Sequence, residues 1–327
     1  MPILDERHDF AHPVEEDSAW SESYYFNAYD AIADVGLFTR IGIRPREGTM
    51  DVGLSVWLPG TDLALVRGVR PQHEMTDVEL DVGGVRYQRV APMREWRLTC
   101  DADAYVTDLR RAREPRTTRL AMDVTFHALT PAIGTDGQGR PGAGVAAETA
   151  RTVGKGHLEQ AGRWSGWIEA DGVRHPLAGA RGNRDKSWGP RRWGGPRMWR
   201  WFSINVGDDV HFGGIRIGTG AGDLHRGWVW RDGEAASIRN WDVRTTLAAD
   251  GVTHTACDVT ATDGRGRRHA LHGELLRVAP VAHQLGDRRT LLNEGLARWT
   301  YEGREGHGIA EYLHQLDADG RPLVPIE

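Results

Sequence analysis

The sequence predicts an all-β fold: two antiparallel β-barrels, or strongly curved sandwiches, packed side by side with little helix. Three observations carry this. Hydrophobic residues alternate with period two over most of the 327 residues, the spacing of strands with one buried face. Asp-Gly pairs at 136, 171, 232, 250, 263 and 319 sit mostly between alternating runs, where their tolerance of positive φ suits tight turns. Many short strands separated by such turns build sandwiches or barrels.

Along the chain, Val52, Leu54, Val56 and Leu58 form one face of a strand, and Gly53, Ser55 and Trp57 the other. Val78, Leu80 and Val82, then Gly83-Gly84, then Val85 and Tyr87 read as a hairpin. Leu120 to Phe126 has one wholly apolar face. Only Thr107 to Arg113 and Gly144 to Thr152 offer a short helical period. The stretch Thr130 to Gly144 is rich in Gly and Pro and reads as a linker. It divides the chain into an N-terminal domain, 1–140, and a C-terminal domain, 141–327, with no clean internal repeat.

Composition narrows the function. A formal charge of −5 argues against a nucleic-acid partner. No window approaches 18 uncharged apolar residues, so no transmembrane segment is expected. The first residues are too polar for a signal peptide. Cys100 and Cys257 are expected as free core thiols in a reducing cytoplasm. A homodimer stays open as a state of assembly.

The chemistry-bearing residues concentrate between Arg181 and Trp201, which hold six Arg, one Lys, one Asp and four Trp. Glycines and prolines interrupt the segment, so it is expected to contain loop. One reading is a surface loop with Arg–Trp stacking; the other is a loop over a cavity mouth, with Asp185 among arginines. Beyond it, Trp199 and Trp201 share a strand face with Ser203 and Asn205. Trp228 and Trp230 repeat that spacing. If such indoles faced a barrel interior they would wall a flat apolar ligand and stabilise a carbocation; simple core packing is the alternative. His157 and Glu159 would share a strand face as an acid–base pair, or as a solvated edge pair. Tyr24 and Asn27 lie in the cluster Trp20 to Asp30. No metal-ligand spacing, nucleophile elbow or phosphate loop is found.

At Arg184-Asp185-Lys186-Ser187-Trp188-Gly189-Pro190-Arg191 the chain resembles the two-domain lipocalin-like superfamily of carotenoid 1,2-hydratase (hydroxyneurosporene synthase) and AttH-like proteins, with fungal Diels–Alderases as distant relatives. His157-Leu158-Glu159-Gln160, Glu22 to Asn27, Glu294-Gly295 and the Gly306 to Tyr312 segment extend the resemblance over most of the chain. It implies two lipocalin-like barrels and a hydrophobic small-molecule substrate, terpenoid-like or otherwise carrying an alkene or ring. It also implies chemistry without a metal or organic cofactor: hydration or dehydration, cyclisation or rearrangement by a lyase or isomerase. Carried to this chain, Asp185 becomes the proton donor or its orienter, with Glu159 and His157 as the rival acid–base pair. Arg184 and Arg191 would tune the Asp185 carboxyl and bind a substrate oxygen. Trp188, Trp199 and Trp201 would shape the pocket, with Tyr24 and Asn27 as further binding residues. One departure is Lys186, where the hydratase-like motif often has His directly after the Asp; Lys186 would instead hold Asp185 ionised. The alternative reading is a non-catalytic carrier of a hydrophobic small molecule.

Overall fold

A computed structural model describes residues 2–75, 79–138, 143–285 and 288–327, leaving aside the side chains of Leu285 and Arg288. The alternating runs form strands throughout. In the first half these are β1 (Trp20–Asp30), β2 (Val35–Arg44), β3 (Thr49–Trp57), β4 (Asp62–Pro71), β5 (Leu80–Val82), β6 (Val85–Ala91), β7 (Glu95–Asp108), β8 (Arg116–Ala128) and β9 (Ile133–Thr135). Helix α1 (Val145–Thr152) follows, then β10 (Gly156–Ala170), β11 (Val173–Leu177) and β12 (Arg181–Pro190). Their pairings run β10-β12-β1-β2-β3-β4-β7-β8 and return from β8 to β10, a closed antiparallel ring. The long β10 makes closure possible: its first half pairs with β12 and its second half with β8. Gly162 lies where the neighbours change over. A Cβ there would come within 2.0 Å of the Phe126 ring, so only glycine lets β10 approach the core so closely.

The core of this barrel is aromatic and aliphatic, with Phe26, Trp96, Phe126 and Trp164 meeting edge to face or tilted. The turns follow their sequence. Asp171 and Gly172, and Asp232 and Gly233, all have positive φ, as a two-residue hairpin turn requires.

The second barrel is β13 (Met198–Val206), β14 (Val210–Thr219), β15 (Gly222–Arg231), β16 (Glu234–Leu247), β17 (His254–Asp263), β18 (Arg268–Leu285), β19 (Arg288–Tyr301) and β20 (Arg304–Leu316). It closes in simple up-and-down order. Phe202, Ile204, Val206, Phe212, Trp241 and Trp299 pack inside it.

Several expectations meet the structure here. Gly144 to Thr152 contains the helix, whereas Thr107 to Arg113 is the end of β7 and a turn, because Tyr105–Asp108 pair with β4. The hairpin around Gly83-Gly84 forms as β5 and β6; Val78 lies outside the described residues. Both cysteines are free and buried. The 140/141 boundary also lies outside the described residues. By contacts, Gly154–Pro190 groups with Pro2–Gln138, and residues 143–153 with the second barrel. The physical reason is edge closure: without β10 and β12, strands β1 and β8 would carry unpaired edges. The segment Arg181 to Trp201 is mostly strand, β12 and β13 around a short connection, rather than a long loop. No helix among the described residues is long and apolar enough to cross a membrane.

Candidate functional site

Strand alternation divides β12 into two faces. Arg184, Lys186 and Trp188 pair in register with Phe26, Tyr24 and Glu22 of β1 and face the first barrel's core side. Asp185 and Ser187 face the opposite side, with Tyr25 and Ser23 as register partners.

On that outer face the residues singled out from sequence come together. Antiparallel pairing places Asp185 opposite Glu159 and Ser187 opposite His157. The His157 ring Nε2 and Asp185 Oδ2 share a short hydrogen bond. Glu159 Oε1 lies 3.6 Å from the same nitrogen. One ligand atom from each of the three residues falls within 4.8 Å of the others. Glu159 is 1% exposed, Asp185 15% and His157 27% at the side chain, so the group is largely withdrawn from solvent yet open at the imidazole. The hydroxyls of Ser23 and Ser187 lie 3.0 Å apart on this face. Asn27 sits one register step further and accepts from the Asn183 backbone N–H. Sequence reasoning missed Ser23, Ser187, Tyr25 and Arg40. The register pairs Tyr25 with both Asp185 and Arg40, and the half-buried Arg40 lies 3.5 Å from Asp51; only cross-strand register reveals that row.

Chemically, one imidazole between two carboxylates can take up, hold and pass on a proton. Among the described residues it is also the one group of three or more His, Cys, Asp or Glu side chains close enough to chelate a cation. Its nitrogen-plus-oxygen donor set would suit a hard or borderline divalent ion.

The core-facing side of β12 has a different task. Arg184 Nη1 reaches Asp9 Oδ1 at 2.5 Å and its Nε donates to Gln160. Lys186 Nζ lies 2.5 Å from Glu22 Oε1 and donates to the carbonyls of His8 and Phe10. Burial opposes ionisation of Glu22, but Lys186 and His12 outweigh it and hold the carboxyl below its ordinary range. Trp188 stacks on His12 with centroids 3.8 Å apart, and Tyr24 donates weakly to Glu22. The expectation that Arg184 tunes Asp185, and that Lys186 holds it ionised, is corrected. Consecutive strand residues point to opposite faces, so both cations serve Asp9 and Glu22 instead. Tyr24 and Trp188 likewise belong to this inner network rather than to the face of Asp185.

The remaining expected residues lie in the second unit. Arg191 stacks over Trp193. Trp199 and Trp201 do not face the barrel interior. That side is taken by Phe202, Ile204 and Val206; the face of Trp199, Trp201, Ser203 and Asn205 is buried too, so burial of the indoles does not make them part of the barrel interior. Trp199 Nε1 donates to Glu311 at 2.6 Å. Trp228 shares the outward parity, since its neighbour Val229 packs in the core.

A family model described as a domain of unknown function, DUF7064, matches residues 5–316. No curated protein matches the chain. Two solved structures share the fold. An AttH candidate from Nitrosomonas europaea superposes with a TM-score of 0.67 at 13% identity, over 95% of this chain and 97% of that one. Kievitone hydratase from Nectria haematococca does so with a TM-score of 0.59 at 10% identity, over 97% and 94%.

Proposed function

The chain belongs to the DUF7064 family, and from that footing we propose that it is a cofactor-independent lyase or isomerase acting by proton transfer on an apolar, alkene- or ring-containing metabolite. The observation that carries this is the convergence of His157, Glu159 and Asp185 on one strand face. Hydration is the reaction the group suits best. A protonated carboxyl delivers H⁺ to one alkene carbon. With Asp185 as that donor, His157 removes a proton from the water that attacks the other carbon. The His157–Asp185 hydrogen bond then returns the proton to the donor, so the site ends as it began. The shared fold with a protein named as a hydratase supports the reading. Tyr25, Asn27 and the Ser23/Ser187 pair share that face and would orient a substrate oxygen.

The test begins with mass spectrometry of the apolar compound that co-purifies with the protein, followed by turnover in H₂¹⁸O. Incorporation of ¹⁸O identifies hydration; a compound returned unchanged speaks for carriage alone. Asp185→Asn and Glu159→Gln should each lower the rate by about 10²–10⁴ while leaving the unfolding midpoint in place. Near-normal turnover in both would remove the assignment. Full activity after exhaustive chelation with EDTA is expected, and its loss would shift the reading to a cation held by the same three side chains.

A further inference from the structure

The second barrel contains a buried arginine that no carboxylate among the described residues contacts directly. Along one register row, Tyr312, Arg200, Arg216 and His225 succeed one another across β20, β13, β14 and β15. Arg216 is matched by Asp223 and Glu327. Arg200, on the same parity as the core residue Phe202, is 4% exposed. Among the described residues its guanidinium forms no ion pair; it donates to the Trp199 carbonyl and lies 4.2 Å over the Tyr312 ring. Beside it stand two histidines with unused ring nitrogens. His314, 1% exposed, has a partner for neither Nδ1 nor Nε2, and His254, stacked on Tyr312 at 4.0 Å, has none for Nδ1. Burial keeps both rings neutral near pH 7, and the Asp223 and Glu327 carboxylates that contact Arg216 act on Arg200 only at longer range.

An unpaired buried cation is expensive to maintain, and a partner that brings the opposite charge with good hydrogen-bond geometry offsets the desolvation. We infer that Arg200, with His314 and His254, forms a binding site for a small organic monocarboxylate inside the second barrel, separate from the His157–Asp185 group. A single cation matches a monoanion rather than a dianionic phosphate. The planar guanidinium donates to a carboxylate in a two-pronged fork, and the neutral His314 ring adds one N–H, whereas His254 spends its N–H on the Ala310 carbonyl. A cavity of about 370 Å³ is lined by Arg197, Gly220, Gln315 and Glu148 among others; Arg200, His314 and His254 are not in its wall.

The test is calorimetric titration of the full chain in chloride-free buffer at pH 7 with acetate, butyrate and octanoate, and with 1-octanol as the uncharged control. A carboxylate should bind saturably and the alcohol should not. Arg200→Met should weaken that binding about tenfold to a hundredfold, the range of a charged hydrogen bond, while turnover at the first barrel stays unchanged. If Arg200→Met does not fold, His314→Leu carries the same reading through loss of a neutral donor. The absence of saturable carboxylate binding, or affinity unchanged in the folded variants, would overturn the inference.

Discussion

Both barrels turn an arginine inward from neighbouring strands of the sequence, Arg184 from β12 and Arg200 from β13, and the two are equally sheltered from water. Their surroundings differ. Arg184 meets Asp9 and Gln160, and its neighbour Lys186 meets Glu22, His12 and two carbonyls. Arg200 meets a carbonyl and an aromatic face. The difference teaches that burial alone does not reveal what a charge is for. A charge whose counter-charge is supplied by the same chain belongs to the fold, whereas one left without it marks a place for something the chain does not provide.

The largest test of that contrast is removal of one partner from the matched network. Glu22→Gln leaves Lys186 buried without its carboxylate and should cost about 3–5 kcal/mol, read as a lower denaturation midpoint and faster hydrogen exchange in β1 and β12. Arg200→Met removes a cation that no carboxylate among the described residues contacts and should leave the second barrel as stable or more stable. Equal losses in the two variants would erase the distinction. The next effect concerns pH. Burial pushes His254 down to about 4 and His314 to about 3. In the unfolded chain both titrate near 6.5. Their neutral-state stability is therefore full above pH 6.5 and falls on acidification, as the unfolded chain takes up protons that the folded one refuses. Each histidine contributes a slope of up to about 1.4 kcal/mol per pH unit. Unfolding measured from pH 7 to 4 should show that slope reduced by one proton in His314→Leu, and an unchanged slope would mean the ring is hydrated. The smallest effect belongs to the surface. Arg97 of β7 grips Asp123 of β8 through two hydrogen bonds on the solvent-facing side of the sheet, yet Arg97→Ala should not move the midpoint measurably, because an exposed pair exchanges one well-solvated state for another. A clear shift would show that location matters less than pairing.

The strands and turns were legible in the sequence because period-two alternation and Asp-Gly pairs are local signals. So were the residues of the candidate site: His157 and Glu159 share a face by spacing alone, and Asp185 stands out in a cationic segment. What could not be read was parity. In β12 the run Asn183 to Ser187 is polar on both faces, so alternation does not say which side is inward, and Arg184 and Lys186 were expected to serve Asp185 when they point away from it. In β13 the two faces were visible, but the size of the indoles drew attention from Phe202, Ile204 and Val206, whose unbroken apolar character decides the core side. The pairing of Glu159 with Asp185 was hidden for another reason. It depends on register between strands separated by the β11 hairpin, and no local pattern encodes that.

The division of β10 between two neighbours has a consequence for synthesis. A ribosome that has delivered the first 138 residues has made most of the first barrel's strands but none of the staves that complete the hoop. Those arrive only with Gly156–Pro190. Until then the nascent chain offers two adhesive margins to any neighbour. A fragment cut at the Gly/Pro-rich stretch should therefore clump, whereas one carried through Pro190 should stand alone.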